Sequence, residues 1–110
     1  MLAVMLGAFG THALKARLAE NLLTIYQTAV QYHFYHALGL MLTGLMILQF
    51  PASNWLKASG WLMLGGIILF SGSLYLLSIT QVRWLGAIAP VGGTAFILAW
   101  LMLFIAILRS

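Results

Sequence analysis

Two histidines and two tyrosines stand close together in QYHFYHALG, residues 31–39. His33 and His36 are three residues apart, so on a helix their side chains share a face. Neutral imidazole binds zinc, copper and iron, and imidazole also titrates near neutral pH, as proton transfer requires. A third histidine, His12, lies nearer the N-terminus. These residue types suggest three roles: a metal or haem ligand, a proton relay in transport, or hydrogen bonding between helices.

The residues that usually accompany histidine in catalysis are scarce. The chain has no cysteine and a single acid, Glu20, so thiol chemistry is excluded and no carboxylate stands near the serines. The HExxH spacing of zinc proteases is also missing. We expect no enzymatic activity, no resident metal and no cofactor. The structural role is favoured because His33 lies at the shallow end of an apolar segment and His36 about one turn inside, while transport and metal or haem binding stay open as alternatives.

The composition indicates that the surrounding solvent is lipid. Of 110 residues, 64% are hydrophobic and 5% are charged, whereas a soluble domain carries about a quarter charged residues. The net charge of +4 comes from dispersed cations, without the basic face that nucleic-acid binding needs. We therefore predict one membrane domain over residues 1–110, with the lipid bilayer as partner and no nucleic acid.

Apolar runs and breaks divide the chain into segments. Residues 1–9 are apolar but rise only about 13 Å as a helix, so they are interpreted as a first transmembrane helix that is incomplete here. Residues 11–29 carry apolar side chains on one face and predict an amphipathic interfacial helix. Three longer runs predict full crossings, at residues 30–50, 58–79 and 85–108. The predicted fold class is all-α: an integral membrane four-helix bundle with an amphipathic segment between its first two helices.

Small residues mark the faces where these helices are expected to touch. In the third crossing, small pairs recur every seven residues at 58–59, 65–66 and 72–73, which favours close backbone approach in lipid. In the last crossing, Pro90 stands about one turn inside the helix, followed by Gly92 and Gly93. A proline there removes an amide donor and predicts a break, which is either a simple kink or part of a transport site.

Four motifs occur together in order: LGAFGTHAL (6–14), TAVQYHFYHALGL (28–40), LFSGSLY (69–75) and PVGG (90–93). This set resembles the DUF423 family of small bacterial inner-membrane proteins, also called UPF0382, which is related to the eukaryotic transmembrane protein 256 family. The resemblance implies a multi-pass protein of the bacterial inner (plasma) membrane with four helices and no established activity. The family's motif positions correspond here to Gly7, Phe9, Gly10, His12, Tyr32, Tyr35, His36, Ser71, Gly72, Ser73, Tyr75, Pro90, Gly92 and Gly93.

The function we predict is non-enzymatic: interaction, assembly or organisation within the membrane, with a homo-oligomer or another membrane protein as partner. The first alternative is a small transporter or channel that uses the Pro90 break and the histidines. The second is a metal- or haem-binding membrane protein. For the lead function, self-association would use the small-residue faces of the helices. The candidate functional polar cluster comprises His12, Tyr32, His33, Tyr35, His36, Ser71, Ser73, Tyr75, Pro90, Gly92 and Gly93.

Overall fold

Helices account for nearly all of the chain that the computed structural model describes, residues 1–14 and 16–109. The first, α1 (Leu2–Phe9), continues into a π-helical turn at Gly10–Leu14, and α2 (Glu20–Gln49) is a single helix of 30 residues. Next, α3 (Asn54–Gly66), a second π-helical turn (Ile67–Ser71) and α4 (Gly72–Thr80) form one continuous rod. A 3₁₀ turn (Arg83–Ala87) then leads into α5 (Ala89–Leu108). The predicted all-α class is confirmed over the described residues.

Two of these rods are long and apolar enough to cross a bilayer. They are Asn54–Thr80 and Arg83–Leu108, with mean hydropathies of 2.0 and 2.4. Each is about 40 Å long at 1.5 Å per residue. Among the described residues, no further helix passes the same test. Although α2 is longer than either rod, the polar stretch at residues 31–36 lowers its hydropathy, and the crossing at 30–50 stays a prediction.

The predicted amphipathic helix at residues 11–29 is divided between two helices in the structure. Residues 11–14 complete the π-helical turn after α1, and residues 20–29 form the first turns of α2. The segment does not form an independent helix, because residues 20–29 continue without interruption into the rest of α2. Lys15, which belongs to this prediction, lies outside the described residues.

Gly10 does not end the first helix, although the sequence suggested a break there. The ring of Tyr26 in α2 fills the space that a side chain at this position would occupy. The Tyr26 hydroxyl also donates a hydrogen bond to the carbonyl oxygen of Leu6, at 2.5 Å. The glycine is thus needed for the close approach of α1 to α2, and the helix passes through it.

Pro90 lies in the first turn of α5 and not within a helix that it would break. The preceding residues form the 3₁₀ turn, and the amides of Val91 and Gly92 both bond to the carbonyl of Ile88, at 3.0 and 3.3 Å. A proline in the first turn of a helix leaves no hydrogen bond unmade, because the amides there have no partner within the helix. The predicted break is therefore a change from 3₁₀ to α geometry.

The rod Asn54–Thr80 and α5 pack with their backbones close together. Ser59 donates a hydrogen bond from its hydroxyl to the carbonyl of Ala99, at 2.7 Å, and both residues are fully buried. Farther along, the backbone of Phe70 fills the place of a Cβ at Gly92. The predicted stripe of small residues supplies one buried member from each pair, Ser59, Gly66 and Ser73. Small side chains thus allow the contact that lipid alone would not drive.

Gly92→Ala should destabilise the protein by about 1–3 kcal/mol, because the new methyl group would collide with the Phe70 backbone. Gly65→Ala is the matched control, since a Cβ at that position meets nothing within 4 Å. The control should change the stability by no more than about 1 kcal/mol, in the stabilising direction. Thermal unfolding of both variants in the same detergent measures the difference. Equal stability for the two variants would contradict the close packing at Gly92.

Candidate functional site

His36 lies among aromatic side chains where α2 meets α5. Its side chain is buried, with 6% exposed, and its ring stacks on Phe96 with centroids 3.5 Å apart and planes 10° from parallel. Nε2 lies 2.8 Å from the indole Nε1 of Trp100, and Nδ1 lies 2.8 Å from the carbonyl oxygen of Tyr32. Both ring nitrogens of His36 are therefore engaged.

These two hydrogen bonds determine the protonation state of His36. An indole N–H can only donate, so Nε2 of the imidazole must accept. A carbonyl oxygen can only accept, so Nδ1 must carry the hydrogen and donate to Tyr32. The ring is therefore neutral, with its hydrogen on Nδ1. A neutral histidine with both nitrogens occupied can join two helices, but it has no lone pair left for a metal ion.

His33 belongs to a second set of contacts, one turn earlier on α2. Its Nδ1 lies 2.9 Å from the hydroxyl oxygen of Tyr75 in α4. The Tyr75 ring in turn packs against Tyr26, with centroids 5.2 Å apart, and the Tyr26 hydroxyl donates to Leu6 in α1. Polar and aromatic contacts thus connect α1, α2 and α4, just as His36 connects α2 and α5.

An open groove brings Pro90 and His36 together. Its volume is about 480 Å³, and its lining includes Tyr32, Pro90, Thr94 and Trp100 as well as His36. The Thr94 hydroxyl bonds back to the Pro90 carbonyl at 2.9 Å, so that oxygen already has a donor. Tyr32 is 39% exposed. The groove therefore offers aromatic surface, but no carboxylate or free imidazole nitrogen of His36.

The other predicted members of the cluster differ in their burial and in their hydrogen bonds. Ser73 is buried, and its hydroxyl donates to the Phe70 carbonyl at 2.9 Å. Ser71 is fully buried in the second π-helical turn, and its hydroxyl has no partner in the described part of the chain. Tyr35 is exposed on α2, and His12 is exposed on the first π-helical turn. His12 therefore does not join His33 and His36.

Three residues at the centre of this arrangement are missing from the predicted cluster: Tyr26, Phe96 and Trp100. Trp100 carried a usable signal, because an indole N–H in the middle of an apolar segment needs an acceptor. Tyr26 carried no such signal, since it lies in the amphipathic stretch and its burial, with 1% exposed, is visible only in the structure. Phe96 has no sequence signal, as a phenylalanine in such a segment contacts lipid or protein equally well.

The structure gives a metal site no geometric support. Among residues 1–14 and 16–109, no group of three or more histidine or acidic side chains lies close enough to hold an ion. His12 is exposed on the first helix, and both nitrogens of His36 are occupied. The arrangement can connect helices and present an aromatic groove.

Comparison with known proteins matches the sequence of this chain to one family. Residues 6–93 match the family model described as protein of unknown function, DUF423. The chain is 48% identical over 109 residues to the UPF0382 membrane protein YwdK of Bacillus subtilis, covering 99% of this chain and 89% of that protein. It is 48% identical over 110 residues to the UPF0382 membrane protein SERP0230 of Staphylococcus epidermidis, covering 99% and 88% of the two chains. No solved structure matches the chain.

Trp100→Phe should destabilise the protein by about 1 kcal/mol or more, because it leaves Nε2 of His36 buried without its donor. Combining it with His36→Leu removes both polar partners, so the double variant should lose less stability than the sum of the single variants. A coupling of about 0.6–1.7 kcal/mol is expected in a double-mutant cycle measured by unfolding in detergent.

Trp61→Phe is the matched control for this cycle, since Trp61 is 73% exposed on α3. It should show no coupling to His36→Leu. Additive effects for the Trp100 and His36 substitutions would contradict the hydrogen bond between them.

Proposed function

This chain belongs to the DUF423 family, and we propose that it is a multi-pass protein of the bacterial inner (plasma) membrane with a non-enzymatic role in interaction, assembly or membrane organisation. The resemblance predicted from the sequence motifs is confirmed by the family match. The curated relatives are bacterial and are named membrane proteins, which supports the location.

The lengths and connections of the helices support several crossings. The two apolar rods are joined by two residues, Gln81 and Val82, so they run antiparallel. At 1.5 Å per residue, α2 is about 45 Å long. It packs against both α3 and α4 of the rod Asn54–Thr80. Crossings at residues 30–50, 58–79 and 85–108, together with α1, make up the proposed four-helix bundle.

The observation that carries the non-enzymatic role is the separation of polar and apolar side chains. His33 bonds to Tyr75 and His36 to Trp100 between helices, and the second ring nitrogen of His36 bonds to the Tyr32 carbonyl within α2. The outward face of α2 is apolar instead, with Leu38, Met41, Leu45 and Leu48 between 54% and 79% exposed. Polar contacts hold the helices together, and the exposed face is suited to lipid or to a neighbouring helix.

Association through this α2 face is testable because the chain has no native cysteine. Leu45→Cys should form a disulfide-linked dimer when membranes are oxidised, since a Cβ at the adjacent Gly44 meets nothing within 4 Å and leaves room for a second helix. Ile97→Cys on α5, which is 70% exposed, is the control and should stay monomeric. Gel electrophoresis without reducing agent reads out both variants.

A different result would count against the proposed role. If neither variant gives a dimer, and crosslinking of membranes followed by mass spectrometry finds no reproducible protein partner, the chain is a solitary monomer. An interaction or assembly role would then be wrong.

Transport is the second candidate, and the groove that joins Pro90 to His36 is what favours it. A transporter in liposomes should show ion or solute flux that falls when His36 is changed to Ala. Tyr35→Phe is the control, because Tyr35 is 54% exposed and lies outside the groove. The absence of flux across a broad panel of ions and solutes would remove this candidate.

A further inference from the structure

A cavity of about 470 Å³ opens at the end of the molecule where the loop after α2 meets the end of α5. We call it the Arg109 cavity. Its floor is apolar and includes Leu56 and Ala106, which are 1% and 6% exposed. Its polar lining residues are Ser53, Asn54 and Arg109. A molecule that fits these surfaces has a polar end and an apolar end.

The polar lining carries positive charge. The guanidinium carbon of Arg109 lies 6.0 Å from the centroid of the Trp55 ring, within the range in which a cation is attracted to an aromatic face. Trp55 also lines the cavity, so the contact holds the guanidinium at its edge. Lys57 adds a second cation at the same end of the molecule, in the first turns of α3.

No acidic residue competes for these cations. The single acid of the chain, Glu20, begins α2, whereas the cavity lies beyond the other end of that helix. Because α2 has 30 residues, about 45 Å separate its ends. Over that distance an exposed carboxylate is screened by salt. An anion in the cavity would therefore not compete with Glu20 for Arg109.

The cavity also lies at the depth of lipid headgroups if the two apolar rods cross the membrane. One rod begins at Asn54 and the other ends at Leu108, so both reach the membrane surface here. Trp and Arg at the ends of such rods are typical of the membrane–water interface. Phosphate groups of lipids lie at this level, and a guanidinium can bind phosphate through two parallel hydrogen bonds.

We propose that the Arg109 cavity binds the headgroup of an anionic phospholipid. Arg109 contacts the phosphate, Asn54 offers its amide, and the apolar floor contacts the glycerol and the first methylene groups. The apolar floor favours a lipid over a free phosphate ion, which would gain nothing from Leu56 and Ala106. This inference rests on the membrane-spanning arrangement proposed above and names one ligand of that arrangement.

Native mass spectrometry of the full chain tests the inference. The protein is purified from bilayers that contain equal amounts of phosphatidylglycerol and phosphatidylcholine. The wild type should retain one phosphatidylglycerol in preference to phosphatidylcholine. Arg109→Gln should lower that retention by about tenfold, as expected for the loss of a charge-assisted hydrogen bond. Arg83→Gln is the matched control, because Arg83 is exposed at the opposite end of the rods, and it should retain lipid as the wild type does.

Several outcomes would overturn the inference. Equal retention of the two lipids, or the same loss in Arg83→Gln as in Arg109→Gln, would show that the cavity does not select an anionic headgroup. Displacement of the lipid by millimolar inorganic phosphate would identify a free-anion site instead. Two controls separate lost binding from lost folding. Thermal unfolding of Arg109→Gln measures whether the variant is folded. Arg109→Lys keeps the charge and should retain part of the lipid.

The membrane arrangement can fail separately. If the protein is extracted from membranes only by detergent yet shows no preference for phosphatidylglycerol, the headgroup site is wrong and the membrane proposal stands. If the protein is released from membranes by salt or alkali alone, the membrane proposal itself is wrong, and the inference falls with it.

Discussion

The hydrogen bond from Trp100 to His36 is the interaction on which the arrangement of α2 and α5 depends. A buried imidazole nitrogen without a partner costs free energy, and so does an indole N–H in apolar surroundings. At 2.8 Å, the contact satisfies both groups at once. The remaining ring nitrogen of His36, Nδ1, bonds to a carbonyl oxygen within α2 itself. Nε2 is therefore the hydrogen-bond acceptor that His36 presents to α5.

The close approach of backbones allows this hydrogen bond to form. Phe96 stacks on His36 and also lies where a side chain at Gly66 would be, so three helical segments meet around one ring. A larger residue at Gly66 or Gly92 would push α5 away from the rod Asn54–Thr80, and Trp100 would move with it. Small residues and polar pairs thus act together, as expected where apolar burial does not drive helices to associate.

The sequence predicted the elements better than it predicted their partners. Apolar runs are local signals, and they predicted the helices over 58–79 and 85–108 within a few residues of the observed rods. The division of residues 11–29 between two helices was not predicted, and neither was the contact of Tyr26 with Gly10, which joins two helices and leaves no local pattern. Pro90 likewise suggested a broken helix. The 3₁₀ turn before it places the proline in the first turn of α5, where its missing amide interrupts no helical hydrogen bond.

In the candidate site, too, local sequence patterns did not reveal the contacts between helices. The spacing of His33 and His36 on one face was readable, but their partners, Tyr75 and Trp100, lie 42 and 64 residues away. Nitrogen-15 NMR of the histidine side chains tests most directly whether His36 connects helices. We expect a neutral ring with hydrogen on Nδ1 and none on Nε2, and a shifted Nε2 resonance in Trp100→Phe. Hydrogen on Nε2 in the wild type would contradict it, since the indole could then no longer donate.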